Sequence, residues 1–183
     1  MTPLCRLAGM GARAPIAAVA GLWLAAASPA AAEPQSTYTQ HRYEKCPEGK
    51  SPEPGVITLR RCSGPAGVAV IYMAEPDSAV LTFGKPFGKE SVDLEDFYEP
   101  ANKIEWRGAS SSDPTPVSAI VRYRVGKSVG RLNETRLVVY RIEPSGRSCA
   151  MAVVREPGAN KKARDIVDAK AATFRCGSKR ISE

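Results

Sequence analysis

The 183-residue chain carries 26 lysines and arginines against 19 aspartates and glutamates, a formal charge of +7 at pH 7, with five cysteines and one histidine. That length suits one domain with its own core, and the excess of positive charge points to anionic partners. The single histidine, His41, leaves little material for imidazole-based acid–base or metal chemistry.

Residues 1–32 hold Arg6 and Arg13 and no acidic side chain, then the apolar run Ile16–Ala27, the breaker Ser28-Pro29, and Ala30-Ala31-Ala32. Positive end, apolar core and small residues in that order describe a secretory signal peptide, removed near Ala32. A retained anchor would need about twenty apolar residues to cross the bilayer, and this run is shorter and mostly alanine. Cys5 precedes the apolar run, so it is badly placed for lipoprotein anchoring. The expected location is the periplasm, or secretion from a Gram-negative bacterium, with no transmembrane anchor.

Residues 33–55 read as a polar, irregular arm, closed by the turn cluster Ser51-Pro-Glu-Pro-Gly55. Four cysteines follow the leader: Cys46, Cys62, Cys149 and Cys176. An even number in an exported domain predicts two disulfides. Of the three possible pairings, 46–62 and 149–176 are favoured, each locking one end of the domain. No two cysteines have the close spacing of a zinc site, and C-x-x-C is absent.

The domain proper spans 56–183. Strands are expected at Val56–Cys62, Gly67–Ala74, Ala79–Phe83, Ile104–Arg107, Ala119–Val125, Thr135–Ile142 and Cys149–Val154, where β-branched and aromatic residues are closed off by Gly, Pro, Asn or Ser. Glu90–Glu99 is an acidic loop or short helical turn. In Ala119–Val125, Val121, Tyr123 and Val125 alternate with Arg122 and Arg124, one buried face and one wet face. Pro144-Ser-Gly146 looks like a hairpin loop. Asn160 is the expected N-cap of a closing helix, with Ala163, Val167, Ala171 and Phe174 as its apolar stripe and Ile166 widening it. The fold class is α+β: a mostly antiparallel, curled or barrel-like sheet of about six or seven strands with one C-terminal helix.

Chemistry is harder to find. His41 sits in the polar arm and reads as a surface residue. Gly126-Lys-Ser-Val-Gly130 satisfies G-x-S-x-G, yet no helix pattern starts after Ser128 and no histidine follows it, so the glycines read as hairpin turn residues. The same "GKS" lacks the earlier glycine of a phosphate loop, and no S-x-x-K dyad occurs. Asp93, Glu95, Asp96 and Glu99 lack the central glycine of an EF-type calcium loop and read as a solvated acidic loop. Asn133-Glu-Thr135 fits a glycosylation acceptor, which a bacterial leader discounts. No cofactor and no metal are expected.

Charge is the more informative signal. Arg122, Arg124, Lys127, Arg131, Arg136, Arg141 and Arg147 face only Glu134 and Glu143 in residues 120–147. On antiparallel strands several of these could share a solvent face beside Tyr123 and Tyr140. The candidate binding residues are accordingly Arg122, Tyr123, Arg124, Arg136 and Arg141, with exposed arginines serving solubility as the alternative. "IEWRGAS", "AIVRYRV" and "ARDIVDAKAATFRC" together resemble small exported alphaproteobacterial proteins of unknown function, a resemblance that implies no activity. The layout is also similar to that of periplasmic lysozyme inhibitors, at the level of architecture alone. The expected function is therefore non-catalytic binding of an anionic envelope component or acidic protein, with nucleic acid disfavoured by the compartment. The alternatives are a proteinaceous inhibitor of a cell-wall hydrolase or protease, and, third, a serine hydrolase using Ser128.

Overall fold

Alternating apolar residues in the second half of the chain form four long strands that carry the architecture. A computed structural model describes residues 35–86, 92, 94–108, 113–128 and 130–182. Among them the elements are β1 (Ser36–Gln40), β2 (Thr58–Ser63), β3 (Ala69–Ala74), β4 (Ala79–Phe83), β5 (Lys85–Pro86), β6 (Phe97–Arg107), β7 (Ser118–Gly126), β8 (Glu134–Ile142), β9 (Arg147–Arg155) and α1 (Ala159–Lys170). The expected leader and its boundary at Ala32 lie outside the described residues, as does Asp93. Among the described residues no helix is long and apolar enough to cross a membrane.

The fold is the expected α+β type, with its strands divided between two sheets. A curled six-stranded sheet runs in the order β1-β6-β7-β8-β9-β5, antiparallel except where β5 pairs with β9. A three-stranded antiparallel sheet, β2-β3-β4, supplies the second layer. Val121, Tyr123 and Val125 of β7 and Val138, Tyr140 and Ile142 of β8 pack with Val70, Leu81 and Phe83 of the smaller sheet. The opposite face offers Ile120, Leu137, Val139 and Val154, which α1 covers with Ala159, Ala163 and Val167. One face of the long strands therefore meets a sheet and the other meets a helix.

Both favoured disulfides are formed, Cys46–Cys62 and Cys149–Cys176. The second ties β9 to the segment after α1. Gly126 and Gly130 serve the β7–β8 hairpin: a Cβ on Gly126 would clash with the Arg131 carbonyl oxygen, and Gly130 has φ +73°.

Four expectations need correction. The arm is not irregular throughout, because Ser36–Gln40 pairs antiparallel with β6 as an edge strand. Its sequence, STYTQ, has no apolar alternation because one of its edges and much of its surface remain wet. His41 is not a surface residue: it is 7% exposed, its Nε2 lies 2.8 Å from Thr39 Oγ1, and its backbone N–H donates to Asn102 O. The end of the acidic segment joins β6 from Phe97 onward. Finally, α1 begins at Ala159 after Gly158, so Asn160 is not the cap; Glu156 instead accepts the Ala159 N–H.

Candidate functional site

Strand register decides where the candidate arginines point. Directly paired residues of an antiparallel sheet share a face. Tyr123 pairs with Arg136, whereas Arg122 pairs with Leu137 and Arg124 with Thr135. Arg136 therefore stands on the inner face with Tyr123, and Arg122 and Arg124 stand on the helix side. The expected single basic stripe is split.

Burial and partners complete the correction. Tyr123 is fully buried, and its hydroxyl contacts Leu81 and Tyr140. Arg136 is 7% exposed and pairs with Glu95 at 3.2 Å and Glu134 at 2.7 Å. Arg141 is 4% exposed and donates to the carbonyls of Val117 and Ile142. Arg124 is exposed and pairs with Glu99. The acidic segment is thus a counter-charge for the arginines rather than a free loop. Of the five candidates, Arg122 alone lines the groove described next.

That groove runs between α1 and the outer face of the large sheet. Tyr38, Glu105 and Ile120 lie in one row across β1, β6 and β7. Arg122 and Leu137 form the adjacent row across β7 and β8. Pro100 cannot donate to the ladder, and the β6–β7 register breaks between Pro100 and Ile104. The carbonyls freed in this bulge are taken by the arm: Tyr43 Oη donates to Ala101 O and the His41 N–H to Asn102 O. The bulge presents Ala101 and Lys103 to the groove. From the helix come Asn160 and Arg164, four residues apart and so on one face.

These residues line an open groove of about 470 Å³. Ala101 and the buried Ile120 and Leu137 form its floor; Lys103, Arg122 and Arg164 line it with Glu105, the only carboxylate lining it among the described residues. Arg164 holds Glu105 through two contacts, Nε to Oε1 at 2.7 Å and Nη2 to Oε2 at 3.0 Å, and Nη2 also donates to Tyr38 Oη at 3.0 Å. Behind Glu105, Ser36 Oγ donates to Oε1 at 2.6 Å and Arg107 Nη1 donates to Ser36 Oγ at 2.6 Å. Arg107 in turn grips both oxygens of Asp168 at 2.7 Å. Burial works against the Glu105 charge, but Arg164, Ser36 and Arg107 outweigh it and hold the carboxyl below its ordinary range. Arg122 contacts Asn160 Oδ1 at 2.9 Å and Glu156 at 3.3 Å. The Lys103 ammonium sits 4.3 Å over the Tyr38 ring and has no carboxylate partner among the described residues.

Ser128 lies in the β7–β8 turn, exposed, with Lys127, Arg131, Asn133 and Glu134 around it. It is followed by a strand and not by a helix, and its hydroxyl makes no hydrogen bond among the described residues. No group of His, Cys, Asp and Glu that could hold a metal occurs among the described residues. The chain matches no family model, and no curated protein or solved structure is similar to it.

Sequence reading missed Lys103, Glu105, Tyr38 and Arg164 as site residues. Two local signals pointed their way: a proline inside a strand pattern, which marks a bulge, and the Asn160/Arg164 spacing on a helix.

Proposed function

We propose that the protein is an exported, non-catalytic binding protein that captures an anionic ligand in the groove between α1 and the outer face of β1, β6, β7 and β8. One observation carries this reading: in one concavity Arg164 already balances Glu105, the only lining carboxylate among the described residues, so that Lys103 and Arg122 leave the groove with positive charge in excess. The Arg122 guanidinium supplies directional donors, and Lys103, without a carboxylate partner among the described residues, supplies a point charge. The volume falls within the roughly 300–1,000 Å³ usual for small-molecule sites. An extracytoplasmic location in the periplasm or outside the cell is supported by the two disulfides, which persist in oxidising compartments.

The test is a titration with ethyl phosphate, followed by backbone amide chemical shifts. Saturable shifts are expected at Lys103, Arg122, Asn160 and Arg164, weakening as salt is added. Lys103→Glu and Arg122→Gln should abolish or strongly weaken them while leaving the rest of the spectrum in place. Absence of any saturable shift in the groove would overturn the reading.

A further inference from the structure

Among the described residues β1 is the one sheet edge that the fold leaves open. At the far side of the large sheet, β5 spans two residues and ends in Pro86, which has no N–H to offer. The outer side of β2 is taken by the preceding chain, with the Gly49 N–H donating to Leu59 O and the Arg61 N–H to Pro47 O. On β4, the Tyr123 hydroxyl and Ser148 Oγ accept the N–H groups of Leu81 and Phe83. By contrast β1, Ser-Thr-Tyr-Thr-Gln, carries no charge, no proline and no break of register against β6, so it has none of the usual edge protections.

The His41 N–H donates to Asn102 O, which makes these two a bonded pair continuing the β1–β6 register. Bonded and non-bonded pairs alternate along antiparallel strands. Thr39 and Thr37 therefore turn their backbone groups to β6, while Gln40, Tyr38 and Ser36 turn N–H and C=O outward, where no described residue takes them. The strand is fastened on both faces: Ser36 Oγ donates to Glu105 on one, and Thr39 Oγ1 accepts the Trp106 indole N–H at 2.8 Å on the other. Ser36, Tyr38 and Gln40 share the groove side, so a strand added here lays alternate side chains along the mouth of the groove, in line with Lys103, the register partner of Gln40.

We infer that the ligand is an extended acidic segment of another protein, which adds to β1 as an antiparallel strand and sends carboxylate side chains at alternate positions toward Lys103 and Arg122. The inference rests on the anion-binding reading above and adds backbone recognition, in which main-chain bonds give affinity and side chains give specificity. Antiparallel addition continues the pattern of β1, β6, β7, β8 and β9. A second copy of this chain is the poorer occupant. Two β1 strands paired about a two-fold axis at Tyr38 would bring together two Lys103 ammoniums, each 4.3 Å over its own Tyr38 ring.

The experiment titrates the heptapeptide acetyl-TEVEVET-amide into the protein, with ethyl phosphate in parallel, and follows amide shifts. Saturable shifts are expected at Ser36, Tyr38 and Gln40 as well as at Lys103 and Arg122, and acetyl-TKVKVKT-amide is expected not to bind. In the added strand the glutamate N–H groups face β1 and the valine N–H groups face away. N-methylation of the glutamates should therefore weaken binding by about tenfold or more, whereas N-methylation of the valines should spare it. Gln40→Pro removes an outward N–H, a change that an edge strand tolerates, and should weaken peptide binding while leaving the ethyl phosphate shifts in place. Peptide binding that ignores glutamate methylation, or ethyl phosphate shifts without peptide shifts, would overturn strand addition and leave the anion-binding reading standing. Equal binding of the acidic and lysine peptides would overturn the acidic partner and, in the absence of ethyl phosphate shifts, the anion-binding reading as well. Dimerisation of the protein in sedimentation velocity, lost in Gln40→Pro, would overturn the choice of another protein's segment over a second copy.

Discussion

The Tyr123 hydroxyl accepts the backbone N–H of Leu81 at 2.9 Å and lies 2.8 Å from the Tyr140 hydroxyl. Tyr123 belongs to the large sheet and Leu81 to β4, whose free edge faces it. A second hydroxyl does the same job nearby: Ser148 Oγ accepts the Phe83 N–H at 3.2 Å and donates to the Phe83 carbonyl. An edge strand buried against another sheet must have its outward backbone groups satisfied, and here two side chains satisfy them. Burial pushes the Tyr123 phenol above its ordinary range, which keeps its proton in place for this role.

Tyr123→Phe leaves the Leu81 N–H without a partner in a buried setting. Destabilisation of about 1–3 kcal/mol is expected. Tyr140→Phe, which leaves the Leu81 bond intact, should cost less, about 0.5–1.5 kcal/mol. Urea titrations of the two variants and the double variant would measure the difference.

Arg107 is buried, and both Asp168 oxygens accept from it across the β6–α1 interface. Arg107→Lys keeps the charge and loses the fork, so the helix loses a directional tether. A loss of about 1.5–3 kcal/mol is expected, moderated because Asp168 is partly exposed. Hydrogen exchange should show α1 amides losing protection before those of β7.

Glu143 is buried in the β8–β9 loop and accepts the Cys176 backbone N–H at 2.9 Å; that bond, with Arg147 beside it, holds its carboxyl below the ordinary range. A carboxylate whose native pKa is lowered gives stability that is present above the unfolded value, about 4.3, and disappears as pH falls through the native one. Glu143→Gln should therefore be less stable than the parent at pH 7, with the gap closing as pH drops below about 4. Thermal melts across pH 2–7 would show the convergence.

His41 follows the same sign by a different route. Burial lowers its pKa, so the folded protein keeps the ring neutral while the unfolded chain protonates near pH 6.5. Its ring-proton NMR titration should have a midpoint below 6.5, and its contribution to stability should decline as pH falls through that window.

The legible parts of the sequence were those governed by local pattern. Val121, Tyr123 and Val125 announced a buried strand face, and Ala163 and Val167 a helix stripe, because each pattern repeats within a few residues. Cys46 and Cys62 paired with each other, as did Cys149 and Cys176, because each pair brackets a short stretch of chain. The misread parts depended on which strand lies beside which. Arg136 looked like one of a solvent-facing row until its register opposite Tyr123 placed it inside. Ser36–Gln40 carries no strand alternation of its own, and only its pairing with Lys103–Arg107 makes it a strand. The groove is farther still from local reading, since Tyr38 joins Glu105 and Ile120 only because β1 pairs with a strand far along the chain.

The two cross-links also divide the chain by what a single cut would do. Each closes a loop that does not overlap the other, Cys46 to Cys62 and Cys149 to Cys176. Cleavage inside either loop leaves one covalent molecule on a non-reducing gel, while cleavage anywhere from Ser63 to Ser148 yields two fragments joined only by strand pairing and core contacts. For a cut between Cys46 and Cys176, band number alone thus reports whether a protease entered through a stapled loop or through the unstapled middle.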